Sequence, residues 1–413
     1  METPAPFFDQ PGVQQIEIGI GPGIPLGIKQ VSNPRLGLGG AYGAWGECYD
    51  NASLLELVER RLNGFLPEED VIDPASLGFD YRHHIRTLSL QEHLEVELAV
   101  GEQLLRQAAQ SCGWEMAEVQ GVLIGSSGPV SDDYTVQIAR RAGVPEQAWK
   151  VSMHKACDGS VGCLHIALNP ELEANNRLGV NLAQELLGKK VLVGGIEGLS
   201  RFVEFSQDAN ALQLFGNGAG VIGVIPGETM QLLAGMTHEV FDQEGVLAVR
   251  MYYPHSGERH TDRSNVETSL AGSNHIRISG LMNEPADGRP VEMAGPMGMV
   301  KLFVRSGVDV VSQVYSAYRT LMDNNGTPDR NIAVAIAHHA NLKINLLKEK
   351  YLQKAGIPLD MPWLLSEFGN ISAASNMVAF LRGLPMMQPG DHIMVDGFGA
   401  GTYYDVLTTA LRE

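Results

Sequence analysis

The chain has 413 residues, 44% of them hydrophobic and 19% charged, which argues against disorder and suits either two domains or one large duplicated unit. Its 30 Lys and Arg residues against 48 Asp and Glu residues give a formal net charge of −18, which argues against nucleic acid or an anionic membrane as the main partner.

The N-terminal segment lacks the basic and apolar stretches of a signal peptide, and no apolar run approaches the length of a membrane span. The four cysteines, Cys48, Cys112, Cys157 and Cys163, form no CxxC pair. We therefore expect a soluble, reduced, cytoplasmic protein without a metal site.

The elements of the first half become recognisable from residue 91, and little can be placed before about residue 75 apart from one helical segment at 54–62. Apolar residues at helical spacing predict a helix over 91–112, and the run VQGVLIG predicts a buried strand at 119–125. The further predicted elements are a helix at 132–142, a strand at 149–152, a helix at 157–168, and strands at 189–194 and 219–225.

The second half opens with a polar, poorly periodic excursion over about 226–292. Beyond it, the predicted elements are a helix at 297–322, a strand at 331–337, helices at 341–354 and 373–381, and strands at 392–396 and 402–408.

The order of helices and strands is similar in the two halves, which indicates a weak internal repeat. Strands that alternate with helices predict mixed or parallel sheets covered on both faces. We therefore expect a duplicated α/β core, with one half over 1–225 and the other over 226–413.

Cys157 lies in KACDGSVGC, after a short strand and at the start of a helix. A helix N-terminus offers free backbone N–H groups and the positive end of the helix dipole, and both stabilise a thiolate. Two hypotheses follow: Cys157 is a nucleophile, or it is a small buried hydrophobic residue.

Polar residues follow the strand NIAVAIA: His338, His339, Asn341 and Lys343. In α/β folds, active sites lie at the ends of buried strands, where such polar clusters occur. A solvated loop would have the same kinds of residues, so both interpretations stay open.

Asn370 lies in FGNISAAS, where it is either a helix cap or a site residue. The Gly-rich turn GFGAG (397–401) can direct a backbone N–H at a developing oxyanion.

In this order, KACDGSVGC, HHANLKI, FGNISAAS and GDHIMVDGFGAGTYY resemble the motifs of the β-ketoacyl-ACP synthase III family. The resemblance covers roughly residues 91–225 and 293–413. It implies the thiolase fold, in which two similar βα halves related by pseudo-twofold symmetry form a five-layered αβαβα core, and it implies a homodimer.

The resemblance also implies a reaction, the decarboxylative Claisen condensation of a Cys157-bound acyl group with a malonyl thioester in fatty-acid or polyketide biosynthesis. His338 and Asn370 would stabilise the enolate, and the backbone N–H groups of Cys157 and Ala400 would form the oxyanion hole. Asn341 and Lys343 would contact substrate. The substrates would be acyl-CoA or acyl-ACP and malonyl-ACP or malonyl-CoA, with no cofactor.

One surface is predicted from the residues directly. The helix after HHAN carries Lys343, Lys348, Lys350 and Lys354 against only Glu349. In so acidic a protein this pattern predicts either docking of an acidic acyl carrier protein or of the phosphates of CoA, or a merely solvated helix face.

Three alternatives stay open beside decarboxylative condensation. A hydroxymethylglutaryl-CoA-synthase-like condensation needs a glutamate near the strand end at 125–128, where the sequence is GSSG. An acyltransferase would use Cys157 and His338 without releasing CO₂. A non-catalytic partner subunit would not need the three residues that this chain retains.

Overall fold

The computed structural model describes residues 4–64, 66–86, 88–128, 130–201, 209–240, 264–280, 300–399 and 403–412. The strands are β1 (Val13–Ile18), β2 (Ile24–Asn33), β3 (Leu38–Trp45), β4 (Glu47–Asp50), β5 (Tyr81–His84), β6 (Gly121–Gly125), β7 (Trp149–His154), β8 (Val191–Glu197), β9 (Gly218–Val224), β10 (Met230–Glu239), β11 (Glu267–Leu270), β12 (His275–Ser279), β13 (Ile332–Ala337), β14 (His392–Gly399) and β15 (Tyr403–Leu411).

The α-helices are α1 (Asn51–Arg61), α2 (Leu90–Ser111), α3 (Tyr134–Ala142), α4 (Gly159–Leu168), α5 (Glu173–Arg177), α6 (Leu182–Leu186), α7 (Ala209–Leu214), α8 (Gly307–Asn324), α9 (Leu342–Lys354) and α10 (Ser375–Gly383). Within the described ranges, no helix combines the length and the apolar character that a membrane crossing requires.

Local sequence explains where the long helix α2 begins. Ser89 accepts a hydrogen bond from the backbone N–H of Glu92, and the Glu92 side chain accepts one from the backbone N–H of Ser89. This reciprocal capping box satisfies two backbone donors that the first helical turn leaves without partners. The side chains at Val96, Val100 and Leu104 recur every four residues and are buried against the first sheet.

Two large sheets carry the fold. The first has nine strands in the order β1-β2-β3-β9-β8-β6-β7-β12-β11, and the second has four in the order β10-β15-β14-β13. In the first sheet β6 runs parallel to both β7 and β8, and β12 runs parallel to β7. The parallel strands β6, β7 and β8 end on the same side, where the predicted site residues also collect.

Helices α4 and α10 lie between the two sheets, because each contacts strands of both. Helices α2 and α3 cover the outer face of the first sheet, and α8 covers that of the second. All ten residues of α4 are buried, which explains why its sequence GSVGCLHIAL is mostly apolar. The layers follow the order αβαβα, and the predicted fold class is confirmed.

The two central helices begin in the same unusual way. A 3₁₀ turn precedes each of them, Ala156–Asp158 before α4 and Ser372–Ala374 before α10. Both turns open with a non-glycine residue in the left-handed region, Ala156 at φ 49° and Ser372 at φ 44°. Such backbone strain is concentrated at functional sites, because the surrounding structure has to hold it.

The segment predicted as an unpatterned excursion contributes strands to both sheets. Strand β10 pairs with β15 in the second sheet, whereas β11 and β12 extend the first sheet beside β7. Strand β10 lies at a sheet edge with most of its side chains partly exposed, which explains its polar, weakly periodic sequence. Strand β9 ends at Val224 and β10 begins at Met230, so the proposed division near residue 225 falls between these two strands.

Candidate active site

Cys157 lies at the end of the first sheet's central strands. Strand β7 ends at His154, the chain turns sharply through Ala156, and α4 begins two residues after Cys157. The side chain of Cys157 is half-buried, whereas the whole of α4 behind it is buried. The thiol therefore lies at the N-terminus of a buried helix, as the sequence predicted, where a thiolate is stabilised by the helix dipole.

The glycines of GFGAG let strand β14 approach this turn closely. A Cβ atom on Gly399 would lie 2.6 Å from the carbonyl oxygen of Lys155 and 3.1 Å from the backbone N of Cys157. A larger residue would therefore push the Cys157 turn away from the strand. The predicted second oxyanion donor, Ala400, lies outside the described residues.

His338 follows directly on β13 and is buried, with 1% of its surface exposed. Its backbone N–H donates to the carbonyl of Asp396 at 2.9 Å, and its ring meets the edge of Phe398 at 5.0 Å. Burial, together with the nearby Lys348 and His339, lowers the pKa of His338 to about 3. His338 is therefore neutral at physiological pH and carries one ring N–H as a donor.

His339 has a different environment from its neighbour. Its Nδ1 lies 2.8 Å from the carbonyl oxygen of Ala337, and its Nε2 accepts a hydrogen bond from the backbone N–H of Leu364 at 3.0 Å. Both ring nitrogens are therefore engaged within the protein, and burial lowers the pKa of His339 to about 4. His339 is held by the loop, so His338 is the candidate of the two for contact with a substrate.

Asn370 is linked by hydrogen bonds to residues near both Cys157 and His338. Its Oδ1 accepts a hydrogen bond from the backbone N–H of Ser372 at 2.9 Å, and its Nδ2 lies 3.5 Å from the carbonyl oxygen of Ala340. The Oγ of Ser372 in turn lies 3.2 Å from the Sγ of Cys157. These contacts connect Asn370 both to the thiol and to the loop that carries His338.

The other predicted site residues are placed differently. Asn341 is the N-cap of α9, where its Oδ1 accepts from the backbone N–H of Ile344 at 2.9 Å. Lys343 is exposed, and its Nζ donates to Ser76 Oγ at 2.8 Å. Lys350 and Lys354 are exposed on the same helix.

Lys348 is a correction to the predicted docking surface. Its side chain is fully buried and forms an ion pair with Asp396. A buried charge needs a partner of opposite sign, and Asp396 in the middle of β14 provides it. The Lys348 Nζ also lies 5.1 Å from the Phe398 ring that packs on His338. Lys348 therefore packs inside the protein behind His338, and it contributes nothing to a surface for a partner.

A buried charge cluster fixes the turn on either side of Cys157. Lys155 Nζ lies 2.9 Å from Asp158 Oδ2 and also contacts Asp405, whose Oδ1 lies 2.6 Å from His165 Nδ1. Burial raises the pKa of Asp405, but Lys155 and His165 outweigh it and hold this pKa below its usual range. The cluster joins the Cys157 turn to β15 of the other half.

Glu197 is the site residue that sequence reasoning missed. It ends β8 with 1% of its surface exposed, and its Oε1 accepts hydrogen bonds from Ser127 Oγ at 2.7 Å and from the backbone N–H of Ala373 at 3.0 Å. Burial raises the pKa of Glu197 to about 7, against the opposing effect of these hydrogen bonds. The available signal was a glutamate that closes the apolar strand VLVGGIE, since a buried carboxyl in a cleft is a candidate functional group.

The chain is similar in sequence and structure to known proteins. The sequence family described as 3-Oxoacyl-[acyl-carrier-protein (ACP)] synthase III C terminal matches residues 322–410. A β-ketoacyl-[acyl-carrier-protein] synthase III from Clostridium tetani is 29% identical over 235 residues, which span 54% of this chain and 61% of that protein. A hydroxymethylglutaryl-CoA synthase from Pyrococcus horikoshii is 32% identical over 103 residues, which span 24% of this chain and 29% of that protein.

Among solved structures, the 3-oxoacyl-[acyl-carrier-protein] synthase III from Aquifex aeolicus superposes with a TM-score of 0.60 at 17% identity, covering 97% of this chain and 100% of that one. The chain therefore has the thiolase fold, and its sequence is similar to those of β-ketoacyl-ACP synthase III proteins.

Proposed function

We propose that this protein forms a carbon–carbon bond by decarboxylative Claisen condensation. The observation that supports the proposal is a set of contacts. Ser372 links the helix-start thiol of Cys157 to the amide of Asn370, and Asn370 contacts Ala340 in the loop that carries the neutral, buried His338. Each residue type suits one step of that reaction.

In the first step, Sγ of Cys157 attacks the thioester carbonyl of an acyl-CoA or acyl-ACP and takes the acyl group. Negative charge then develops on the carbonyl oxygen. The backbone N–H of Cys157 is a suitable donor for this oxyanion, and the resemblance assigns Ala400 as the second donor.

In the second step, a malonyl thioester loses CO₂ and its charge moves to the thioester oxygen as an enolate. A neutral histidine and an amide can both donate to that oxygen, and each such donor stabilises the transition state by about 3 kcal/mol. The enolate carbon then attacks the acyl group on Cys157. With a pKa of about 3, His338 is neutral near pH 7. One ring nitrogen then carries the N–H that donates, and the other nitrogen is unprotonated.

The test is an acyl adduct on Cys157. Incubation with a series of straight-chain acyl-CoAs is expected to add one acyl mass to the wild-type protein, as measured by intact-protein mass spectrometry. Cys163→Ala, which alters a fully buried thiol in α4, should retain the adduct, whereas Cys157→Ala should lose it. An adduct that persists in Cys157→Ala would refute the covalent mechanism.

A second candidate is condensation without loss of CO₂. The sequence has no glutamate at 125–128, and Glu197 is our candidate for that role, because its carboxylate accepts hydrogen bonds from both the backbone N–H and the hydroxyl of Ser127. Labelled CO₂ separates the candidates, because a non-decarboxylating enzyme releases none from a malonyl thioester while still acylating Cys157.

The carrier surface is proposed on α9. Lys343, Lys350 and Lys354 are exposed beside Leu346 and Tyr351, which expose 53% and 44% of their surfaces. Basic and apolar side chains on one helix suit an acidic acyl carrier protein, since opposite charge steers the approach and apolar contact holds the complex. The resemblance further implies a homodimer, which size-exclusion chromatography with light scattering would test.

For this surface, we expect Lys350→Glu/Lys354→Glu to raise KM for a malonylated bacterial acyl carrier protein about tenfold at low salt, because two attractive charges become repulsive. The effect should shrink at 0.5 M NaCl, where charges are screened. Lys29→Glu/Arg35→Glu makes the same charge change on the β2–β3 hairpin and serves as the control. An unchanged KM in the α9 variant would show that its lysines are only solvated.

A further inference from the structure

A continuous chain of side chains connects the Cys157 thiol to the buried carboxyl of Glu197. Ser372 Oγ donates a hydrogen bond to Cys157 Sγ at 3.2 Å, which is the arrangement that stabilises a deprotonated sulfur. Ser372 Oγ also hydrogen-bonds Ser127 Oγ, and Ser127 Oγ donates to Glu197 Oε1 at 2.7 Å. The chain crosses both halves of the molecule, since Ser372 comes from the second half and the other three residues come from the first.

We propose that Glu197 accepts the proton of Cys157 through the hydroxyls of Ser372 and Ser127 when the thiol attacks its acyl donor. The inference deepens the proposed function and rests on Cys157 as the nucleophile. A hydroxyl has one hydrogen and can accept as well as donate, so each serine can pass a proton on while receiving another.

The transfer balances in both directions. The S–H bond of Cys157 breaks and its proton moves to Ser372 Oγ, the Ser372 proton moves to Ser127 Oγ, and the Ser127 proton moves to Glu197. The electron pair left on Sγ forms the new bond to the acyl carbon, while the old thioester bond breaks and its thiolate takes a proton from water. When the enolate carbon later displaces Sγ, the chain runs backwards and returns the proton to Cys157.

The backbone holds this chain in place. Ser372 is in the left-handed region at φ 44°, and its N–H is fixed by Asn370, so the hydroxyl is held toward Sγ. The backbone N–H of Ser127 donates to Glu197 Oε1 at 2.8 Å, and that of Ala373 donates at 3.0 Å. Backbone strain costs free energy, and a buried polar network is costly unless its members are paired. Both features occur together at Ser127, Ser372 and Glu197, which favours a function for these residues over simple packing.

The charge state of Glu197 suits an acceptor that works near neutrality. Burial brings its pKa to about 7, so the carboxylate form becomes dominant as pH rises through that value. On the elements packed against β8, the charged or titratable groups facing it in the described ranges are Cys157, Tyr134 and the Glu97–Arg201 pair, whose Oε1 and Nε lie 3.3 Å apart. Glu97 and Arg201 are paired with each other, and burial keeps Tyr134 protonated by raising its pKa.

The test measures thiol reactivity against pH. Alkylation of Cys157 by iodoacetamide, followed by peptide mass spectrometry from pH 5.5 to 9, is expected to rise through an inflection near 7 in the wild type. Glu197→Gln should remove that inflection and lower the rate at pH 7.5 at least tenfold. Acylation by a straight-chain acyl-CoA should show the same two changes.

The serines supply the matched controls. Ser372→Ala should resemble Glu197→Gln, and the double variant should lose no more than either single one, because one broken link interrupts the whole chain. Ser375→Ala, three residues along, and Ser126→Ala, next to Ser127, should keep the wild-type profile. An unchanged pH profile in Glu197→Gln, or additive losses in the double variant, would overturn the relay. Failure of wild-type acylation with a normal alkylation profile would instead count against the proposed function alone.

Discussion

Replacing His338 or Asn370 by alanine is expected to lower CO₂ release from a carboxyl-labelled malonyl thioester at least ~100-fold. Each side chain offers one donor to the enolate oxygen, and the loss of one such donor costs about 3 kcal/mol of transition-state stabilisation. Acylation of Cys157 should persist, because the nucleophile and its helix are intact. Scintillation counting of the released CO₂ and the intact mass of the same samples would measure the two half-reactions separately.

The control is His238→Ala, which removes an exposed histidine of β10. With a pKa of about 3, His338 does not titrate between pH 5.5 and 8, so decarboxylation by the wild type should show no inflection from this residue. Undiminished CO₂ release in either His338→Ala or Asn370→Ala would refute that residue's assignment.

The second large effect is on stability. Lys155→Met is expected to lower the free energy of unfolding by about 3–5 kcal/mol, because it leaves Asp158 and Asp405 as buried carboxyls without their cation. Burial already raises the pKa of Asp158 well above its ordinary value, which shows how costly its charge is there. Urea unfolding followed by circular dichroism measures the loss.

Two variants sharpen this measurement. Lys155→Met/Asp405→Asn should recover part of the loss, since it removes one of the stranded charges. Lys350→Met, on the exposed face of α9, should change stability by less than about 0.5 kcal/mol. If Lys155→Met unfolds at the same urea concentration as wild type, the cluster does not hold the Cys157 turn.

The sequence was most informative where chemistry and periodicity coincide. The predicted strand at 119–125 is β6, the predicted helix at 91–112 is α2, and the helix that follows HHAN is α9. Cys157 was correctly placed at a helix start, and His338 at the end of a strand. These features are local, because an apolar run and the polar residue that ends it are neighbours in the chain.

Features that depend on distant contacts could not be predicted. Strand β3 has the sequence LGGAYGAW, which favours a turn, yet it lies inside the first sheet because Gly40 packs against Leu381 of α10 with no room for a side chain. Lys348 belongs to a basic stretch by sequence but pairs with Asp396, 48 residues away. Glu197 and Ser372 lie 175 residues apart in the chain and meet only because the two halves fold onto each other.

The position of β11 and β12 has a consequence for assembly. A strand with one free edge can hydrogen-bond a strand from another molecule, whereas a strand paired on both sides cannot. Strand β7, which leads into the Cys157 turn, is paired with β6 on one side and β12 on the other. Among the described strands of the nine-stranded sheet, the free edges belong to β1 and β11. A dimer that continued this sheet would therefore join through β1 or β11. Dimer formation of this kind would leave the pairing of β7 with β6 and β12 unchanged.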